Sequence, residues 1–304
     1  MIARPHWSAA LYVVSMAMVM ASPVSGRSAP AQTALPGPAS TTSTDGNDIV
    51  VEGSRKTLRH TLKQTLDTGP QSQLARYEDG FCPRVDGFPE EWSPIIEEIV
   101  RNNAAEAGAL VKRPGCRPNA LIVFTDQPQQ LMAIFEKANP SLSAHLSPAQ
   151  RQLLLGKKRA AYSARVVQQL DREGNGYDYH TGTSRNGRVT RISTNFRSDI
   201  WLSVVVIDIN QSPGKTLRQL ADFATMHLLL NLSVKTLDEA NPSSVLSLFM
   251  PHDGVAVPAQ LSLVDRATIQ GLYVPARNNF TADNQRERIL GHITKEFRAI
   301  AAGK

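Results

Sequence analysis

The stretch that most constrains this fold is Ile200-Trp-Leu-Ser-Val-Val-Val-Ile-Asp208. It is β-branched and apolar at consecutive positions, so both of its faces must be covered, and that predicts a central strand. Gly214 and Lys215 then hand over to Thr216–Leu232, where Leu217, Leu220, Phe223, Ala224, Met226, Leu228, Leu229 and Leu230 leave no polar stripe. A helix apolar nearly all round is a buried helix. A doubly covered strand followed by a buried helix requires further elements on both sides. The expectation is an α+β fold, a single mixed sheet packed by several helices.

The flanking sequence supplies those elements. Trp92, Ile95, Ile96, Ile99 and Val100 recur at spacings of three and four and predict a helix over Glu90–Ala107. Asn119–Thr125 reads as a buried strand. Asp126, followed by Pro128, is the expected N-cap of a helix running to about Ala138. Ser147 and Gln150 have capping-box spacing. Residues 164–172 are closer to strand than helix. Gly174-Asn175-Gly176 and Asn186-Gly187 are hairpin signals. Helices are expected at Ser262–Tyr273 and Ala282–Ala301, the latter with Ile289, Leu290, Ile293, Phe297 and Ile300 on one stripe.

The N-terminus gives an address. Arg4 and His6 precede the apolar run Leu11–Ala21, and small residues follow. The run is about half of what spans a bilayer, so it reads as a secretory signal peptide over residues 1–31. Val24-Ser25-Gly26 and Ala29-Pro30-Ala31 both offer a cleavage site, placing the cut between Gly26 and Ala31. Residues 32–80 are polar and rich in Pro, Ser and Thr at their start, and are expected to form a disordered or extended linker before a globular domain at 81–304. Export to an oxidising compartment favours pairing the only two cysteines, Cys82 and Cys116. No membrane span is expected in the mature chain.

The charge balance excludes one class of partner. The formal net charge is +6, and without Arg4 and Arg27 it falls to +4. The densest basic run, Lys157-Lys158-Arg159, reads as a solvated helix face rather than a phosphate track. No nucleic acid is expected, and no phosphate loop, dinucleotide fingerprint or nucleophile elbow is present.

Three features in the C-terminal half occur in a particular order. The buried helix carries His227. Ser243-Ser244-Val245-Leu246-Ser247-Leu248-Phe249 follows after a loop. Then come Leu261, Ser262, Asp265, Ile269, Leu272 and Tyr273. This order resembles the zincin metallopeptidases, in particular the metzincin branch. There, a zinc-binding helix follows the sheet, a tight turn carries a Ser-Ile-Met-like tripeptide, and a closing helix reads Leu-Thr-x-x-Asp-x-x-x-Ile-x-x-Leu-Tyr. The resemblance covers residues 200–273 and departs from the family at its chemistry. Aligning His227 with the second His of His-Glu-x-x-His puts Phe223 at the first His and Ala224 at the Glu. Neither can ligate a metal or act as a base. The resemblance therefore implies a degenerate zincin-like fold with no metal and no cofactor. Without it, Ser262-x-x-Asp265 is a capping box and His227 a core histidine bonded to a carbonyl.

Other readings stay open. His180, with Asp178, and His252, beside Asp253, are candidates with His227 for a histidine-based hydrolase site. Asp48-Ile-Val-Val-Glu-Gly-Ser-Arg55 resembles the segment after the signal peptide of TonB-dependent receptors, which implies a Gram-negative envelope context and a possible role as a TonB-linked accessory factor. Asn279-Phe-Thr281 is a glycosylation sequon. The leading expectation is a secreted or periplasmic envelope protein that binds a partner or stabilises an assembly without catalysis.

Overall fold

The computed structural model describes residues 55–68, 73–171, 174, 176, 194, 196–252, 254, 256–274 and 280–301. Among them are four strands in one mixed sheet and seven α-helices, an α+β fold. The strands are β1 (Pro83–Asp86), β2 (Ala120–Thr125), β3 (Ala161–Asp171) and β4 (Phe196–Asp208). Their order is β1-β2-β4-β3. β1, β2 and β4 run parallel, and β3 is antiparallel to β4. The helices are α1 (Arg55–Thr65), α2 (Ser93–Glu106), α3 (Pro128–Ala138), α4 (Pro148–Leu155), α5 (Leu217–Leu229), α6 (Leu263–Tyr273) and α7 (Ala282–Ala301).

β4 is central, as its composition requires. Val205 and Ile207 point into a core shared with Ile96 and Val100 of α2 and with α5. Val204 and Val206 point the other way, into a core with Met132 of α3 and Leu154 of α4. At Trp201 the register against β3 slips: Val167 pairs with Ile200 and Val166 with Leu202. The bulge leaves the Trp201 side chain exposed within an otherwise covered strand. At the other end of the fold, α6 and α7 approach so closely that a Cβ on Gly271 would lie 2.7 Å from the Ile289 Cα.

Several expectations need correction. The globular unit does not begin at residue 81; it reaches back at least to Arg55. α1 packs on α7, with Leu62 and Leu66 buried, and Arg59 pairs with Glu287. Leu74, Ala75, Arg76 and Tyr77 are buried as well, and Arg76 forms a parallel bridge to Asp199 of β4. The leucines at 58, 62 and 66 are four apart, a stripe that suffices on a helix despite the polar residues between them. Gln73 and Arg76 enter the core because their side chains bond carbonyls of Phe280, Leu272 and Tyr273. The expected N-cap at Asp126 moves to Gln127, whose N–H donates to Thr125 Oγ1. Lys157–Arg159 is no helix face. It is the link between α4 and β3, and Arg159 is buried. Residues 1–54, with the signal-peptide region and most of the receptor-like octet, lie outside the described residues. So do Asn186-Gly187, Asp178, His180, Asp253 and Asn279.

Cys82 and Cys116 form a disulfide with Cα atoms 6.2 Å apart. It closes the segment that runs from β1 through α2 to the start of β2. In the loop-entropy model, tying a separation of 34 residues stabilises the fold by roughly 3–4 kcal/mol. Denaturant melts with and without reductant are expected to differ by that amount. A difference below about 1 kcal/mol would show that the crossover holds itself without the bond.

Candidate functional site

α5 is the spine of the site. Its start is fixed by a reciprocal cap: the Gln219 N–H donates to Thr216 Oγ1 at 3.1 Å, and the Thr216 N–H donates to Gln219 Oε1 at 2.9 Å. Every residue from Gln219 to Leu229 is buried. Its polar groups therefore need partners. The Asp222 carboxylate, fully buried, accepts from Asn103 Nδ2 at 2.7 Å, Arg218 Nε at 2.9 Å and the Leu261 N–H at 2.7 Å. One side chain thus joins α2, α5 and the approach to α6.

His227 lies in the last turn of α5, packed toward β3. Its partner is not the carbonyl expected from the sequence but Ser163 Oγ, 3.1 Å from Nδ1. Nε2 is buried without a partner. Burial, and then the charge of Arg165, push its pKa down to about 3, so the ring is neutral in the ordinary range. A neutral ring has one N–H. A buried N–H without an acceptor is rarer than a bare lone pair, so the proton is assigned to Nδ1, donating to Ser163. In that tautomer the imidazole cannot take the Ser163 proton. Arg165, two residues along the same face of β3, is buried too and donates to the Leu230 carbonyl at 2.7 Å.

The second and third sequence features meet at one carboxylate. Asp265 accepts from Ser244 Oγ at 2.6 Å and from the N–H groups of Val245 and Ser262, each at 3.0 Å. It caps α6 and anchors the short turn at Val245–Ser247 in the same step. His252 belongs to this turn as well: its Nε2 donates to the Ser247 carbonyl at 2.9 Å. That bond makes His252 a clasp on the loop.

A cleft of about 240 Å³ opens where these pieces converge, between the start of β3, Phe223 of α5 and the loop at Leu246–Pro251. Phe223 forms part of its wall. Its ring lies 4.4 Å from the His227 ring and 5.0 Å from Phe249, edge-on to the latter. The rim carries Lys157, Lys158 and Arg159 with a single carboxylate, Asp238. Arg159 grips Asp238 with two bonds, at 2.9 and 2.8 Å, and Lys157 Nζ adds a third contact at 3.1 Å. These hydrogen bonds, Arg159 first, hold the Asp238 carboxyl below the usual range.

The predicted histidines are thus separated in role. His227 is sealed in the core and His252 clasps a loop, while His180 lies outside the described residues. Among the described residues no three His, Cys, Asp or Glu side chains come together to hold a metal. Phe223 and Ala224, at the positions a zincin would give to its first His and its Glu, offer no donor atom, so the residues present do not fit a zinc ion. The sequence reading missed Ser163, Arg165 and Asp222. The one available signal was Asp222 itself, a lone carboxylate in a helix that had to be buried. No family model, curated protein or solved structure matches the chain.

Proposed function

We propose that this is an exported envelope protein that binds rather than cuts, on a zincin-like frame whose cleft has exchanged metal ligands for aromatic rings. The observation that carries this reading is the place of Phe223. Where the zincin-like reading of the sequence would put the first metal-binding His stands a phenyl ring that forms part of the cleft wall and packs against His227 and Phe249. The order of elements supports the frame: α5 lies on β4, α6 packs on α5, and Asp265 binds the turn to the closing helix. The disulfide supports an oxidising compartment. No helix among the described residues is long and apolar enough to cross a membrane. The TonB-linked alternative needs residues 48–55 to stay free and extended, and Arg55 opens α1 instead.

A hydrolase reading has one observation in its favour, the 3.1 Å contact between His227 and a half-buried Ser163. A single experiment separates the two. The mature protein is analysed for zinc, melted with and without chelator, and exposed to a fluorophosphonate probe. We expect an N-terminus between residues 22 and 32 by mass spectrometry, no stoichiometric zinc, an unchanged melting midpoint and no labelling. One equivalent of zinc abolished by His227→Ala would overturn the binding reading. So would labelling that disappears in Ser163→Ala.

A further inference from the structure

We propose that the cleft beside Phe223 takes a small monocarboxylic acid with an aromatic body, its carboxylate held by Lys158. This rests on the binding reading above and names the ligand class of the same site. Size sets the first limit. At about 240 Å³ the cleft falls below the roughly 300–1,000 Å³ of sites for drug-sized molecules, which leaves room for one ring and a short chain. The lining sets the second. Phe223, Leu246, Phe249 and Met250 form an apolar wall, and the edge-on Phe223–Phe249 pair suits a third ring.

Charge sets the third limit. Three cations and one carboxylate leave the rim with an excess of two positive charges, so an amine is disfavoured and an anion favoured. The donors are not equally available. Arg159 spends its guanidinium on Asp238 and on the carbonyls of Leu154 and Lys157. Lys157 shares Asp238. Lys158 is exposed and has no ion pair or hydrogen bond among the described residues. One free ammonium matches one carboxylate. A phosphoryl dianion carries more charge than this one ammonium offsets, and the guanidinium fork that could add to it is already spent on Asp238.

The test is calorimetric and ligand-observed NMR titration of the mature protein at pH 7 and low salt. The probes are 3-phenylpropionate and the neutral, similarly shaped 3-phenylpropanamide. The acid is expected to bind about five-fold more tightly than the amide, the worth of one exposed ion pair. Lys158→Gln, a change at an exposed and unbonded side chain, is expected to bring the acid down to the amide's affinity and leave the amide unchanged. Met250→Trp, which fills the cleft, is expected to abolish both. Equal binding of acid and amide would overturn the proposal, as would acid binding that ignores Lys158→Gln, or no binding of either probe at about 10 mM. A short peptide ending in phenylalanine that binds ten-fold tighter than the free acid would reassign the site to a protein C-terminus. Absence of acid binding in a zinc-free, unlabelled protein would sink this inference alone. Zinc or probe labelling would sink the binding reading itself.

Discussion

Asp222→Ala is expected to lower the unfolding free energy by roughly 3–5 kcal/mol, a large part of the stability of an ordinary domain. The carboxylate has no access to solvent and three donors converge on it. Alanine leaves the Leu261 N–H buried without an acceptor. It also strips Asn103 Nδ2 of one of its two acceptors, the other being Thr225 Oγ1 at 3.0 Å. Arg218 is less affected, because its side chain is 40% exposed and water can replace the bond. The loss therefore comes mostly from the orphaned donors, each of which costs about 1–3 kcal/mol when buried, with the cavity adding to it. Asp222→Asn keeps the shape but turns an amide NH₂ toward donors, so about half the loss is expected. Urea melts decide the matter, read as a fall in midpoint at constant slope. A loss below about 1 kcal/mol for the alanine variant would mean that α2, α5 and the α6 approach do not depend on this junction.

The second large effect is acid sensitivity. His145 and His227 both have pKa values pushed down to about 3, by burial first and by the charge of Arg165 next. An unfolded histidine titrates near 6.5, so below that pH the unfolded chain takes up protons that the folded chain refuses. Their contribution to stability is complete above pH 6.5 and is lost as the pH falls toward 3. Each histidine contributes about 1.4 kcal/mol per pH unit, so the pair removes about 5 kcal/mol by pH 4.5.

Asp199 works in the opposite direction. Burial raises its pKa to about 7 against the charge of Arg197, so the folded chain binds a proton between pH 7 and 4 that the unfolded chain releases. It returns at most about 1.4 kcal/mol per unit, over a window that solvent screening shortens. Burial also raises the Asp265 pKa, in the same compensating sense. Wild-type protein is therefore expected to lose roughly 3 kcal/mol between pH 6.5 and 4.5, the histidine loss less the part that Asp199 returns. His227→Gln should flatten the decline by about 1.4 kcal/mol per unit, and Asp199→Asn should steepen it. Guanidinium melts at half-unit pH steps measure both. Identical slopes in wild type and His227→Gln would show that His227 is protonated in the folded state.

Residue pattern alone located three of the four strands, though not the short β1, and most helices, because their signals are local. Ile200–Asp208 had to be covered on both faces, and the stripes on α2, α6 and α7 needed only the helical period. Ser147–Gln150 and Ser262–Asp265 were read correctly as caps, since a capping box is written within four residues. Apart from the one-residue shift of the α3 cap to Gln127, the failures are non-local. Residues 55–77 look like a tether until Gln285 of α7 and Asp199 of β4 are brought beside them. Arg159 looks solvated until Asp238 arrives from 79 positions away. The His227–Ser163 contact joins a helix to a strand 64 residues earlier, and no spacing rule reaches that far. The cleft was invisible for the same reason: its floor comes from α5, its rim from the entry to β3 and its far wall from the loop before α6.

The pairing of α1 with α7 has a consequence for the order in which the molecule is completed. A polypeptide emerges from its N-terminus onward, whether from a ribosome or from a translocation channel. Among the described helices α1 appears first and α7, which it packs on and whose Glu287 carboxylate meets Arg59, appears last. Residues 231–233 can hold the end of α1 earlier, but a nascent chain that stalls before residue 282 leaves its α7-facing side uncovered. Closure of the structure is thereby coupled to arrival of the final helix. α1 acts as a latch that engages fully only once α7 has been delivered.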